Sequence, residues 1–253
     1  MNRGSRYIRA VEGWLLILCA GIVGCPIFSQ AQDVSVTTHV GLINPATETQ
    51  QRSSANDLSN VVVWLSPPDK NSATIAPAAP ASTPRLIQRN KSFEPHLLVV
   101  EVGTVVQFPN KDPFFHNIFS LYEGKPFDLG LYEAGSTRTV RFDRPGVSFL
   151  FCNIHSEMSA VVVAVDTRYF AISDSSGQIR IHDVPPGRYL MHVWYERSKP
   201  EDLQSLNRLV TISSATRTLP PLQVPLDPNF TLTHKNKYGQ DYVPPPTPEY
   251  QQP

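Results

Sequence analysis

The sequence has 253 residues, long enough for one large domain or two small ones, and its 22 basic and 22 acidic residues balance to a formal net charge of zero. The first 31 residues contain three arginines and one glutamate, so the remainder carries 19 basic and 21 acidic residues. Neither balance indicates a nucleic-acid partner. Glycines and prolines separate short runs rich in Val, Phe, Tyr, Ile and Thr, without a sustained helical repeat after residue 32. The composition therefore predicts an all-β chain.

The N-terminus has the pattern of a secretory signal peptide over residues 1–31. Three arginines precede an apolar run, Trp14–Val23, and a small-x-small cleavage pattern ends at Ala31. The apolar run is shorter than the ~20 residues that a spanning helix needs, so no transmembrane span is expected in the mature protein. We expect a periplasmic or secreted location. An alternative is that Ile22–Cys25 acts as a lipobox, in which case Cys25 would be acylated and would anchor the protein to a membrane.

The cysteines limit the chemistry of the folded body. Cys19 and Cys25 lie in the leader, which leaves Cys152 as the one thiol of the mature chain. Exported proteins usually pair their thiols, because an unpaired thiol is exposed to oxidation. Cys152 is therefore expected to be either buried and inert or used for a chemical function such as metal binding or catalysis.

The chain after the leader divides into several predicted segments. Two short strands within residues 33–66, Val34–Thr38 and Val61–Leu65, precede a Pro- and Ala-rich linker or loop at residues 67–85, where proline removes the donors that a sheet needs. Residues 86–165 contain closely spaced strand signals that predict one compact sandwich: Leu97–Glu101, Val105–Phe108, Thr137–Phe142, Val147–Cys152 and Ala160–Val165.

A second β unit is predicted over residues 166–226. It has three strand signals with tight turns between them: Tyr169–Ser173, Gln178–Ile181 and Tyr189–Tyr195. The Pro-rich residues 227–253 are predicted to form an extended or disordered tail.

Four residues within the predicted sandwich at residues 86–165 form a candidate metal site. Cys152, His155 and Met158 stand at every third position, and His116 lies 36 residues before the cysteine. One thiolate, two imidazoles and one thioether are the ligands of a blue copper site, with the methionine as a weak axial ligand. A strand that ends at Cys152, a tight loop after it, and a neighbouring strand that supplies His116 would bring the four side chains together.

Residues 86–165 resemble the cupredoxins, the small blue copper proteins that include plastocyanin and amicyanin. The resemblance rests on Gly146 six residues before Cys152, on aromatic residues between them, on the amicyanin-like C-x2-H-x2-M spacing, and on Asn117 directly after His116. It implies a Greek-key β-sandwich that binds one copper ion. It also implies that Asn117, and with it Asn153, forms hydrogen bonds around the ligands, with Asn117 bracing the two ligand loops.

Plainer roles for the same residues stay open at this stage. Cys152 could be an inert core thiol, His116 a core histidine, His155 a surface histidine and Met158 a core residue. The remaining histidines, which have no comparable partners, receive no role: His39, His96, His182, His192 and His234.

Several enzyme and metal classes fit the sequence less well. A multicopper oxidase needs histidine on both sides of its cysteine, whereas Cys152 has Phe151 and Asn153 beside it. A dinuclear copper site needs a second cysteine. A cysteine hydrolase needs a base that activates its thiol, often at a helix N-terminus. A structural zinc site fits less well because methionine is a poor zinc ligand. We therefore expect a protein that is not an enzyme.

The second β unit resembles the carboxypeptidase-regulatory-like, or transthyretin-like, β-sandwich. The resemblance rests on the turn and strand at Asp174–Ile181 and on the Pro-Gly turn and tyrosine strand at Val184–Leu190. Because such modules begin with an earlier strand pair, we hypothesise that residues 33–66 and 166–226 form one discontinuous sandwich with the copper domain inserted.

The leading functional prediction is one-electron transfer to an unidentified redox partner protein. Two alternatives remain: copper delivery, storage or sensing without electron transfer, and a β-sandwich interaction module in which copper is incidental.

Overall fold

The computed structural model describes Met1 and residues 33–44, 57–68, 83–121 and 123–242. From residue 33 onward they belong to one compact unit, Ala31–Pro253. The predicted signal peptide with Cys25, most of the linker, and the tail after residue 242 lie outside the described residues. Within the described part of the chain, no helix has the length and apolar character needed to cross a membrane.

Nearly all regular structure in the described ranges is β, which confirms the predicted fold class. The elements are β1 (Val34–Ile43), β2 (Val62–Ser66), β3 (Ile87–Arg89), β4 (Ser92–Glu94), β5 (Leu97–Glu101), β6 (Val105–Pro109), β7 (His116–Ser120), β8 (Phe127–Tyr132), β9 (Thr137–Arg141), β10 (Gly146–Cys152), β11 (Ser159–Val165), β12 (Phe170–Ile172), β13 (Gln178–Val184), β14 (Gly187–Trp194), α1 (Pro200–Leu206), β15 (Arg208–Ile212) and β16 (Leu222–Pro225).

The first sandwich is built from β3 to β11. Its main sheet has the order β5-β11-β10-β7-β8, and the pairs β6-β9 and β3-β4 complete it. The apolar side chains between these sheets form one buried core that includes Phe108, Ile118, Phe142 and Leu150. Alternation along β10 and β11 directs every second side chain into this core.

The second sandwich combines strands from both ends of the described chain. Its sheets have the orders β13-β1-β16 and β12-β2-β14-β15, so β1 and β2 pair with strands that follow the first sandwich. Their inner faces share a core that includes Val36, Leu65, Ile179 and Met191, and Leu203 of α1 joins it. The assignment of these strands to one discontinuous domain stays a prediction.

The two sandwiches share an apolar interface. Along β11, Ala160, Val162 and Ala164 enter the core of the first sandwich, whereas Val161 and Val163 on the opposite face pack in a separate cluster. That cluster also contains residues of the second sandwich: Val62, Trp64, Phe170 and Trp194. Because both faces of β11 are buried, the strand is apolar at nearly every position instead of alternating with polar residues.

Candidate metal centre

Strand pairing brings Cys152 and His116 to the same end of the main sheet. Cys152 is the last residue of β10, and His116 is the first residue of β7. The two strands are antiparallel, with Cys152 opposite Ile118. A candidate ligand at the end of one strand therefore lies beside a candidate ligand at the start of its neighbour, although 36 residues separate them in the sequence.

The loop after β10 folds back on its own starting point. The Met158 backbone N–H donates to the His155 carbonyl at 3.2 Å, and the Cys152 N–H donates to the Met158 carbonyl at 3.2 Å. These two hydrogen bonds close the loop and return His155 to the side of the cysteine.

Three of the four predicted ligands meet in one cluster. One donor atom from each of His116, Cys152 and His155 lies within 4.8 Å of the others. The Cys152 Sγ lies 3.6 Å from His116 Nδ1 and 3.5 Å from His155 Nδ1. Such separations suit atoms that share one ion with metal–ligand bonds of roughly 2.0–2.3 Å. Cys152 and His116 are fully buried, while His155 is partly exposed.

Met158 lies in the first core together with Cys152, and its side chain is fully buried. This position suits a core residue and is also compatible with the predicted role as a copper ligand. Its ligation therefore stays a prediction.

Phe114 is part of the site that the sequence analysis missed. Its ring contacts the rings of both histidines, with centroid distances of 5.3 Å to His116 and 5.4 Å to His155. The two imidazoles are themselves 4.9 Å apart in an edge-on arrangement. Phe114 thus restricts the orientation of both candidate ligands. Its position two residues before His116 could have suggested this contact.

Burial favours the uncharged forms of Cys152 and His155. It raises the pKa of the Cys152 thiol, although backbone N–H groups of Asn117, Ile154 and His155 donate to the sulfur and oppose the rise. Burial and the nearby His116 lower the pKa of His155. A neutral imidazole is ready to coordinate, whereas the thiol must lose its proton when a metal binds.

Asp112 is a second contact that the sequence analysis missed. The His116 Nε2–H donates to Asp112 Oδ2 at 2.9 Å, and both side chains are buried. Burial alone would raise the pKa of Asp112, but hydrogen bonds from Lys91, His116 and Asn90 outweigh it and hold the pKa below its ordinary value. The sequence feature that could have suggested this contact is the position of Asp112, a carboxylate four residues before the candidate ligand His116.

The two asparagines predicted near the ligands make different contacts. The Asn117 carbonyl accepts the Asn153 N–H at 2.9 Å, so its backbone joins β7 to the ligand loop. The Asn117 side chain instead donates to Asp128 Oδ1 of β8 at 2.6 Å. Asn153 uses its side-chain oxygen to accept the Lys237 N–H at 3.0 Å. The structure thus places both residues beside the cluster, with the brace between the loops made by backbone atoms.

The C-terminal segment, residues 234–242, lies against this end of the sheet. The Tyr242 hydroxyl donates to the Cys152 carbonyl at 2.6 Å, and the His234 ring stacks on Phe151 at 4.0 Å. Lys237 forms an ion pair with Asp128 at 2.7 Å. The prediction of an extended or disordered tail from residue 227 did not include these contacts, which single side chains make without any periodic pattern.

The other described histidines lie outside the cluster. His96 bonds Glu196 at 2.6 Å across the two sandwiches, beside a cavity of about 190 Å³ that Asp57 and Arg197 also line. Burial lowers the pKa of His192, which stacks on Trp64. These contacts indicate structural roles.

Solved copper proteins match parts of this chain. A copper-containing nitrite reductase (NirK) from Thermus scotoductus SA-01 is 25% identical, with a TM-score of 0.32; the match covers 37% of this chain and 25% of that protein. This chain therefore spans about a quarter of the reductase. A purple cupredoxin from Nitrosopumilus maritimus is 24% identical over 32% of this chain and 99% of its own length, with a TM-score of 0.30. Amicyanin from Paracoccus versutus is 18% identical over 34% of this chain and 85% of its own length, with a TM-score of 0.31.

No family model matches the chain. No curated protein matches it either.

Proposed function

We propose that this protein is an exported type 1 copper protein that carries one electron to or from a partner protein. The observation that carries the proposal is the cluster of one thiol and two imidazole nitrogens, all within 4.8 Å, at the buried end of a β-sheet. This donor set favours copper over hard metal ions, and it accepts both Cu(I) and Cu(II). Met158 completes the proposed set as the axial ligand.

The protein holds these donors in place before any metal arrives. Cys152 and His116 are fixed by their strands, and Phe114 contacts both imidazoles. Copper bound by these residues would supply the Cu(I)/Cu(II) couple. Donors that move little between the two states favour rapid electron exchange. His155 is partly exposed, and its neighbour Ile154 is an exposed apolar residue, so this loop offers the contact for a redox partner.

Copper loading of the purified protein tests the site. We expect one equivalent of Cu(II) to give the intense visible absorption of a copper–thiolate bond. Cys152→Ala should abolish the absorption and His155→Gln should weaken copper binding. His39→Gln, which changes an exposed histidine of β1 outside the cluster, is the matched control and should behave as wild type. A colourless loaded wild-type protein would overturn the type 1 assignment.

Voltammetry of the loaded protein separates an electron carrier from a copper-delivery protein. Reversible one-electron oxidation and reduction with copper retained supports electron transfer. Loss of copper on each reduction contradicts it and supports delivery instead.

A further inference from the structure

Asp112 controls which nitrogen of His116 faces the cluster. The carboxylate Oδ2 accepts the Nε2 proton at 2.9 Å, and the other ring nitrogen, Nδ1, lies 3.6 Å from Cys152 Sγ. With the proton held at Nε2, the Nδ1 lone pair points toward the thiol and is free to coordinate.

A separate hairpin holds the carboxylate in this position. The Asn90 N–H donates to Oδ1 of Asp112 at 2.6 Å, and the Lys91 N–H donates to Oδ2 at 3.0 Å. Both hairpin residues have φ of 53°, and this left-handed turn directs consecutive N–H groups to the carboxylate. The Asp112 N–H in turn donates to Asn110 Oδ1 at 3.0 Å. Asp112 is therefore restrained through both carboxylate oxygens and through its own backbone.

We propose that Asp112 is a positioning residue that lowers the reduction potential of the metal centre through His116. This inference rests on the proposed function. A carboxylate that accepts the distal N–H of a ligating imidazole makes the ligand more basic. A more basic donor stabilises Cu(II) more than Cu(I).

The charges of the buried site act in the same direction. Thiolate and carboxylate together contribute two negative charges. Cu(II) neutralises both of them, whereas Cu(I) leaves one negative charge uncompensated. Burying an uncompensated charge is unfavourable, so the oxidised state gains relative to the reduced state.

Asp112→Asn removes the charge and preserves the shape of the side chain. We expect this variant to bind copper with the wild-type colour but with a higher potential, by about 59 mV for each tenfold change in the ratio of Cu(II) to Cu(I) affinity. Asp143→Asn is the matched control, because it removes the same charge from an exposed position. Equal potentials in wild type and Asp112→Asn would overturn the proposal and leave copper binding intact.

Nitrogen NMR of the metal-free wild-type protein tests the geometry independently of copper. We expect His116 to carry its proton on Nε2 in a slowly exchanging hydrogen bond. A proton on Nδ1 would overturn the proposal even if Asp112→Asn failed to fold. Absence of copper binding by wild type, together with the Nε2–H form, would refute the proposed function and the effect on the potential, but not the positioning of His116.

Discussion

Replacing Met158 by leucine and, separately, by alanine tests whether its sulfur contacts the metal in addition to filling the core. The side chain is fully buried among apolar residues of the first sandwich. Leucine has nearly the same volume but lacks the sulfur, whereas alanine lacks both volume and sulfur. The two variants therefore separate packing from ligation.

Packing determines the result in the metal-free protein. Met158→Ala should lower the free energy of unfolding by about 2–5 kcal/mol, because it leaves a cavity in a buried site. Met158→Leu should lower it by less than about 1.5 kcal/mol, because the volume is conserved. Urea denaturation followed by circular dichroism measures both values.

Ligation determines the result in the copper-loaded protein. An axial thioether stabilises Cu(II) more than Cu(I), so we expect Met158→Leu to retain copper through the other three ligands and to have a higher reduction potential. A tenfold loss of preference for Cu(II) corresponds to about 59 mV. Met191→Leu is the matched control, since Met191 is equally buried but lies in the core of the second sandwich.

Two results would refute this reasoning. If Met158→Leu and Met191→Leu have the same potential as wild type, Met158 is a core residue and the site has three protein ligands. If Met158→Ala is as stable as wild type without metal, the packing argument is wrong.

Two further predictions concern a contact between the sandwiches and a contact at the loop after β10. The hydrogen bond to Glu196 raises the pKa of His96 above its ordinary value of 6.5. Its stabilising contribution is therefore complete below about pH 6.5 and disappears as the pH rises through the folded-state value. The Tm difference between wild type and His96→Gln should shrink correspondingly between pH 6 and pH 9; a constant difference would contradict the linkage. Tyr242→Phe removes the donor to the Cys152 carbonyl and should lower the free energy of unfolding by about 1 kcal/mol. The exposed Tyr238→Phe should have no effect, and equal stability of the two variants would show that the C-terminal contact contributes nothing.

The cluster was predictable where ligands are close in sequence or lie at strand ends. Cys152 and His155 share a loop, and the alternating residues before the cysteine mark a strand. β7 was less visible, because all five of its residues are buried and it shows no alternation. The hairpin of β3 and β4 was missed because its turn residues, Asn90 and Lys91, adopt positive φ without the glycine that usually signals such a turn.

Contacts between distant segments could not be predicted from local patterns. Asp112 depends on two N–H groups from another hairpin, and Tyr242 reaches the carbonyl of a residue 90 positions earlier. Each is a single side-chain contact, without a repeat that the sequence could display. The pairing of β1 with β13 and β16 is similarly long-range, although a family resemblance suggested that the N-terminal strands belong there.

The interleaved topology constrains the order in which the chain can fold. β1 pairs with β16, and β2 pairs with β12 and β14. The strands that are synthesised first therefore cannot complete their pairing until the last strands have been synthesised. The strands of the first sandwich find all their partners among themselves and can assemble during that interval. We expect the first sandwich to form first, with Val161 and Val163 still exposed, and the second sandwich to close over them only when the chain is complete through β16.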